Sequence, residues 1–165
     1  MARVKSKANK MREFFSGLEE MQEFLRRPST PEVDTAALLQ MANGLARPRD
    51  LKALTTWLCT ELSRLFVAQA VELFVKDTAW RCIEGKGEVS HVLLDTALQG
   101  VAYQDGILYL GLNTKPHAAM LVFHKPEIQP FDHPLVHEIL ELAAAQLNQA
   151  LFLGELQAHG STGSP

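Results

Sequence analysis

Val71-Glu72-Leu73-Phe74-Val75-Lys76-Asp77-Thr78-Ala79-Trp80-Arg81-Cys82-Ile83 is the stretch on which the fold turns. Val71, Leu73 and Val75 alternate with Glu72, Phe74 and Lys76, the period of two that marks a strand. Asp77-Thr78 suits a tight turn, and Ala79 to Ile83 supplies the returning strand, so the stretch reads as a hairpin. Gly85-Lys86-Gly87 breaks the pattern.

Upstream the period is helical. Leu51, Leu54, Leu58, Leu62 and Leu65 keep one face of a helix that Asp50 can cap. Before it, Thr30 can cap and Pro31 can open a helix carrying Leu38, Met41 and Leu45, closed at Ala46-Arg47-Pro48. Residues 27–32 read as a linker. Earlier still, Met11, Phe14, Leu18, Met21 and Leu25 recur at spacings of three and four, forming an apolar seam widened by Phe15 and Phe24. The seam is too short for a coiled coil, which needs about three or four heptads, but it must dock somewhere.

Downstream, Ser90 can cap a short helix with Val92, Leu93, Ala97 and Leu98, ended by Gly100. Val101 to Gln104, Asp105-Gly106 and Ile107 to Leu112 form a second hairpin, because Asp-Gly between apolar runs is a strong turn signal. Ala118 to Phe123 reads as a fifth strand. His133-Pro134 opens a last helix expected to run to about Gln157. Leu135, Ile139, Leu142 and Leu153 lie near one of its stripes, and Val136, Leu140, Ala143, Leu147 and Leu151 near another. Packing on one sheet needs an apolar arc of only about 100°, so the excess predicts a second contact, with residues 11–26 or with a partner subunit.

The resulting order is helix, hairpin, short helix, hairpin, strand, long helix. Over residues 49–157 the chain resembles the GAF domain, a small sensory and regulatory α/β module. The likeness rests on the helix ending Leu62-Ser63-Arg64-Leu65-Phe66, the strand Val71 to Asp77, and the close of the domain. There, Ala119-Met120-Leu121-Val122-Phe123 and Pro130-Phe131-Asp132 lead into a helix rich in Leu, Ala and Gln. The resemblance implies an α+β fold: a central antiparallel sheet of five to six strands, terminal helices on one face, and a ligand pocket on the other. It further implies dimerisation through the terminal helices. The stretch Glu84 to Gly100 is shorter than the roof of many ligand-binding members. The Asn-Lys-x-Asp motif of cyclic-nucleotide binders and the Cys-His pair of bilin binders are both missing. The cysteine pattern of the family's free methionine sulfoxide reductases is not matched either.

If a pocket exists, its stacking and hydrogen-bonding groups come from Trp80, Cys82, His91, Tyr103, Tyr109 and His117. Alternation puts Arg81 on the face opposite Trp80 and Cys82. His133 and His137 share a helical spacing that can serve a metal, with Asp132, Glu138 and Glu141 nearby. Zinc normally needs three or four ligands, however, and polar surface is the simpler reading. Cys59 and Cys82 could form a redox pair, but free cysteine is commonly a buried apolar residue. No Gly-x-Ser-x-Gly elbow, P-loop or dinucleotide fingerprint occurs, and no catalytic residue or cofactor is assigned.

The 165 residues suit one domain with appendages, and 25 Leu with 19 Ala favour helix. The net charge of −3 conceals a basic arm, Arg3, Lys5, Lys7, Lys10 and Arg12, ahead of a body with 11 basic and 19 acidic residues. That acidic body opposes nucleic acid. With no apolar export segment and no run of about 18 apolar residues, a cytoplasmic protein without a membrane span is expected.

The sequence therefore predicts an N-terminal helical extension (1–48), a GAF-like domain (49–157) and a flexible tail (158–165). Its expected role is regulatory and non-catalytic, through homodimerisation, a small-molecule ligand or a signalling partner. The expected dimer interface comprises Met11, Phe14, Leu18, Met21, Leu25, Val136, Leu140, Leu147 and Leu151. The alternatives are an interaction scaffold with a filled pocket and a thiol redox enzyme.

Overall fold

The computed structural model describes residues 19–26, 35–98, 101–131 and 133–162. The helical elements are α1 (19–26), α2 (Thr35–Leu45), α3 (Leu51–Leu65), α4 (His91–Thr96) and α5 (Pro134–Thr162). The strands are β1 (Ala70–Lys76), β2 (Trp80–Glu84), β3 (Val101–Gln104), β4 (Ile107–Leu112) and β5 (Ala118–His124). They form one five-stranded sheet in the order β2-β1-β5-β4-β3, with every neighbouring pair antiparallel. This is the α+β architecture expected from the sequence. The linker 27–32, the Thr30-Pro31 start, Gly100, Asp132 and the basic arm lie outside the described residues.

Local chemistry sets the element ends. Asp50 caps α3 by accepting the Ala53 N–H at 2.7 Å. At the other end of α3, Ala68 N–H donates to Ser63 O at 2.9 Å and Val67 N–H to Arg64 O at 3.3 Å. This pair of bonds is the Schellman closure, and it puts Val67 in the left-handed region with φ 48°. Asp105 and Gly106, with φ 55° and 75°, turn β3 into β4 as the Asp-Gly signal predicts. Ser90 occupies the N-cap of α4, but its side chain makes no capping bond.

One face of the sheet carries the main core. Leu73, Val75, Leu108, Leu121 and Phe123 pack beneath Leu58 and Leu62 of α3 and Val136, Ile139, Ala143 and Leu147 of α5. α2 lies on α5 and buries Leu38, Met41 and Leu45, so the extension before residue 49 shares this core. Phe24 of α1 is fully buried and stacks on Tyr103 at 4.7 Å. A bulge between β1 and β2 leaves Ile83 without a register partner, since Leu73 faces Glu84 and Phe74 faces Cys82. Ile83 packs against the main core, and Thr56 of α3 donates to Glu84 at 3.3 Å.

α5 continues past the expected end near Gln157 to Thr162. Gly160 costs about 1 kcal/mol relative to Ala, and a helix already propagating absorbs that. Among the described residues, no helix is long and apolar enough to cross a membrane.

Candidate functional site

On the sheet face turned away from α3 and α5, Phe74, Trp80, Tyr109, Met120 and Val122 form a second apolar cluster. The alternation that sends Leu73 and Val75 toward the helices sends Glu72, Phe74 and Lys76 here. Leu94 of α4 and the following Ala97 close over the cluster, and all seven side chains are buried. Asp95 pins this short helix to the sheet, accepting from Lys76 Nζ at 2.7 Å and from Trp80 Nε1 at 2.8 Å. The Lys76 bond first, and the Trp80 bond second, hold the Asp95 carboxyl below the usual carboxylate range.

Glu72 is the buried acid of this face. Its Oε2 accepts the Gly87 N–H at 2.7 Å, and its Oε1 lies against Nε2 of the part-exposed His124. Gly85 (φ 115°) and Gly87 (φ 74°) adopt backbone that L residues rarely take, and a Cβ on Gly85 would collide with the Glu72 side chain. The glycine loop is thereby folded onto the end of the cluster. Cys82 Sγ sits 3.9 Å from Glu72 Oε2 and donates to Glu84 O at 3.3 Å.

Neither thiol is activated. Burial, and after it the Glu72 charge, pushes the Cys82 thiol up. Burial pushes Cys59 to about 12, with Glu84 adding to the shift. Thiolate is the reactive form, so both residues are protonated at neutral pH. They also belong to different layers, Cys59 to the helix-side core and Cys82 to the second cluster.

Of the residues proposed from sequence for a pocket, Trp80, Cys82 and Tyr109 share this face. His91 is exposed at the start of α4. Tyr103 belongs to the opposite face, under Phe24. His117 is at the entry to β5, with Nε2 at 2.5 Å from Glu155 of α5. The two tyrosines part because the two-residue turn pairs Tyr103 with Leu108 and Ala102 with Tyr109, a register that the Asp-Gly signal already contained. Glu72, Asp95 and His124 were not in that pool. The signal for Glu72 was an acid flanked by apolar residues within a strand that is covered on both sides.

The residues proposed for a dimer interface also separate. Val136, Leu147 and Leu151 are buried in the protomer's own core, and Leu140 is half-buried against it. Met21 packs on that core and Leu25 is exposed, while Met11, Phe14 and Leu18 lie outside the described residues. α5 turns other large apolar side chains outward: Leu142 is 43 % exposed, Phe152 60 % and Leu153 48 %. At 100° per residue, Leu142 and Leu153 fall on one line, well away from the line of Val136, Ala143 and Leu147. His133 and His137 are engaged by backbone: His133 Nδ1 accepts the Leu135 N–H at 3.2 Å, and His137 Nε2 lies 2.8 Å from Phe131 O.

Cavities of about 900, 560 and 320 Å³ lie between α2 and α3, beside the β5–α5 connection, and between α5 and the loop before β5. None of these three opens beneath α4.

Comparison with solved structures identifies the fold. The chain is similar to the GAF domain of the potassium sensor histidine kinase KdpD from Escherichia coli, with TM-score 0.54 and 14 % identity, covering 73 % of this chain and 97 % of that one. It is also similar to the GAF domain of a protein described as a sensor histidine kinase from Pseudomonas syringae pv. tomato, with TM-score 0.52 and 16 % identity, covering 78 % and 91 %. No family model matches the chain, and no curated protein matches it.

Proposed function

We propose that this chain is a non-catalytic regulatory domain that acts by association with a second copy of itself. The observation that carries the reading is the exposure of Leu142, Phe152 and Leu153 on α5, none of which the protomer uses for its own core. Large apolar side chains left exposed along a long helix point to an interaction surface. The GAF domains it resembles come from proteins described as sensor histidine kinases, which fits a signalling role. Two free, unactivated thiols suit a reducing compartment such as the cytoplasm.

Light scattering on the full chain tests the reading. A dimer is expected at micromolar concentration, and Leu142→Asp with Phe152→Asp should yield a folded monomer. A wild-type monomer would end the proposal, and so would a double variant that stays dimeric.

A small-molecule sensor is the second reading, favoured by the brevity of α4, which buries only Leu94 within its six residues. A ligand would have to lift α4 and meet Trp80, Cys82 and Tyr109. With the second face filled by its own side chains, no nucleotide or metabolite in a thermal-shift panel should raise the melting temperature. A saturable rise would favour the sensor.

A further inference from the structure

The cavity of about 900 Å³ is an open groove between α2 and α3. Ala37, Met41 and Gly44 form one wall at helical spacing, and Trp57, Glu61 and Leu65 the other. The wall is thin at Gly44, where an added Cβ would come within 2.6 Å of the Trp57 ring. The Arg49 guanidinium carbon sits over that ring, 4.2 Å from its centroid, and Arg49 donates to Gly44 O at 2.5 Å, so its guanidinium is held in place.

Charge sets this groove apart. Among the described residues, Arg47, Arg49 and Arg64 line it with Glu61 as the one acid, which Arg64 meets at 3.3 Å. The chain beyond its first twelve residues carries 11 basic and 19 acidic side chains, so three arginines gathered at an apolar groove run against the body's own charge. Their positions matter as much as their number. Arg49 precedes α3 and Arg64 is in its last turn. Their backbones stand about 20 Å apart along the helix axis, while their guanidinium groups reach the Trp57 ring and Glu61, residues one helical turn apart on the same wall. The cations therefore flank the apolar row Met41, Trp57 and Leu65, and a ligand that offers an apolar face with acids beside it fits that pairing better than a bare anion does.

We propose that the groove between α2 and α3 docks an acidic amphipathic helix from a partner protein. The apolar face of that helix would lie along Met41, Trp57 and Leu65, with carboxylates beside that face meeting Arg47, Arg49 and Arg64. This is the helix-in-groove mode of recognition, with charge selecting the partner. The chain's own basic arm, with five cations and no acid in residues 1–12, is repelled by the same arginines. The proposal goes beyond self-association through α5 and does not depend on it.

The test is selection of random 16-residue displayed peptides against the full chain, followed by synthesis of the most enriched one. Enriched peptides should carry apolar residues at i, i+3/i+4 and i+7 with Asp or Glu beside them. Arg47→Glu with Arg64→Glu should weaken the synthetic peptide at least tenfold. That double variant should keep the wild-type melting temperature, since both side chains are exposed. No enrichment, basic or unpatterned winners, or equal binding to the charge-reversed protein would overturn the proposal. Loss of binding in Leu142→Asp with Phe152→Asp instead would put the peptide on α5 and also overturn it. A self-association abolished by the arginine reversals would make the occupant a second copy, with the same result.

Discussion

The Gly87 N–H donates to the Glu72 carboxylate at 2.7 Å, tying the glycine loop after β2 back onto the middle of the sheet. The acceptor side chain is buried and the bond part-buried, so removing Glu72 leaves the Gly87 donor poorly hydrated. Glu72→Ala should therefore cost about 2–3 kcal/mol, counting the lost side-chain volume. Glu72→Gln keeps an acceptor and should cost less. Gly85→Ala adds a Cβ aimed at Glu72 in backbone with φ 115°, and should cost at least about 2 kcal/mol. Urea midpoints at constant m-value measure all three.

Docking of α4 should depend on acid. Lys76 and Trp80 hold the Asp95 carboxyl below its ordinary value. A depressed carboxylate adds stability that is fully present above the unfolded value of about 3.9 and is lost as pH falls through the lower folded value. Hydrogen-exchange protection factors over 91–97 should hold above about pH 4 and fall below it. Asp95→Asn should remove that pH dependence while leaving the rest of the sheet protected.

Val67 takes a left-handed conformation, φ 48°, at the end of α3 while 46 % exposed. A β-branched residue is poorly suited to that region, and glycine takes it freely. Val67→Gly should stabilise the protein by roughly 1 kcal/mol, because little packing is lost and the closing bonds from Ala68 and Val67 remain. A thermal melt of the two proteins decides it. An unchanged or lower melting temperature counts against the strain.

Cys59 should resist modification. Burial raises it to about 12, so iodoacetamide at pH 8 should alkylate it only after unfolding. Linkage gives a second readout. Between the unfolded value of about 8.5 and the folded one, the unfolded chain loses this proton first. Stability should therefore fall by about 1.4 kcal/mol per pH unit across that window. Cys59→Ala should remove that component of the alkaline slope.

How far the fold was legible depended on the range of the cause. Asp50, the Asp105-Gly106 turn and the alternation of Val71 to Lys76 act over a few residues, and each set its element where the local pattern said. Features decided by distant partners were not visible. The bulge at Ile83 answers to the helices above it, and Glu72 answers to a glycine fifteen positions away. The first stripe on α5 divides, with Ile139 and Leu135 packed on the core and Leu142 and Leu153 exposed, because where α2 and the sheet press decides which positions turn inward. The candidate pocket suffered most. Six aromatic or polar residues were pooled by type, and strand register then divided Tyr103 from Tyr109.

The strand order has a consequence for how the chain is made. β1 and β5, the first and last strands in sequence, lie side by side near the middle of the sheet. When a ribosome has delivered everything through β4, one long edge of β1 still lacks its neighbour, beside a face that carries Val71, Leu73 and Val75. Such an edge is a template for pairing with the wrong chain. Closure must wait for residues 118–124, and contacts that span so much sequence form slowly. The hazard to this small domain therefore peaks late in synthesis, in the interval before β5 slides between β1 and β4.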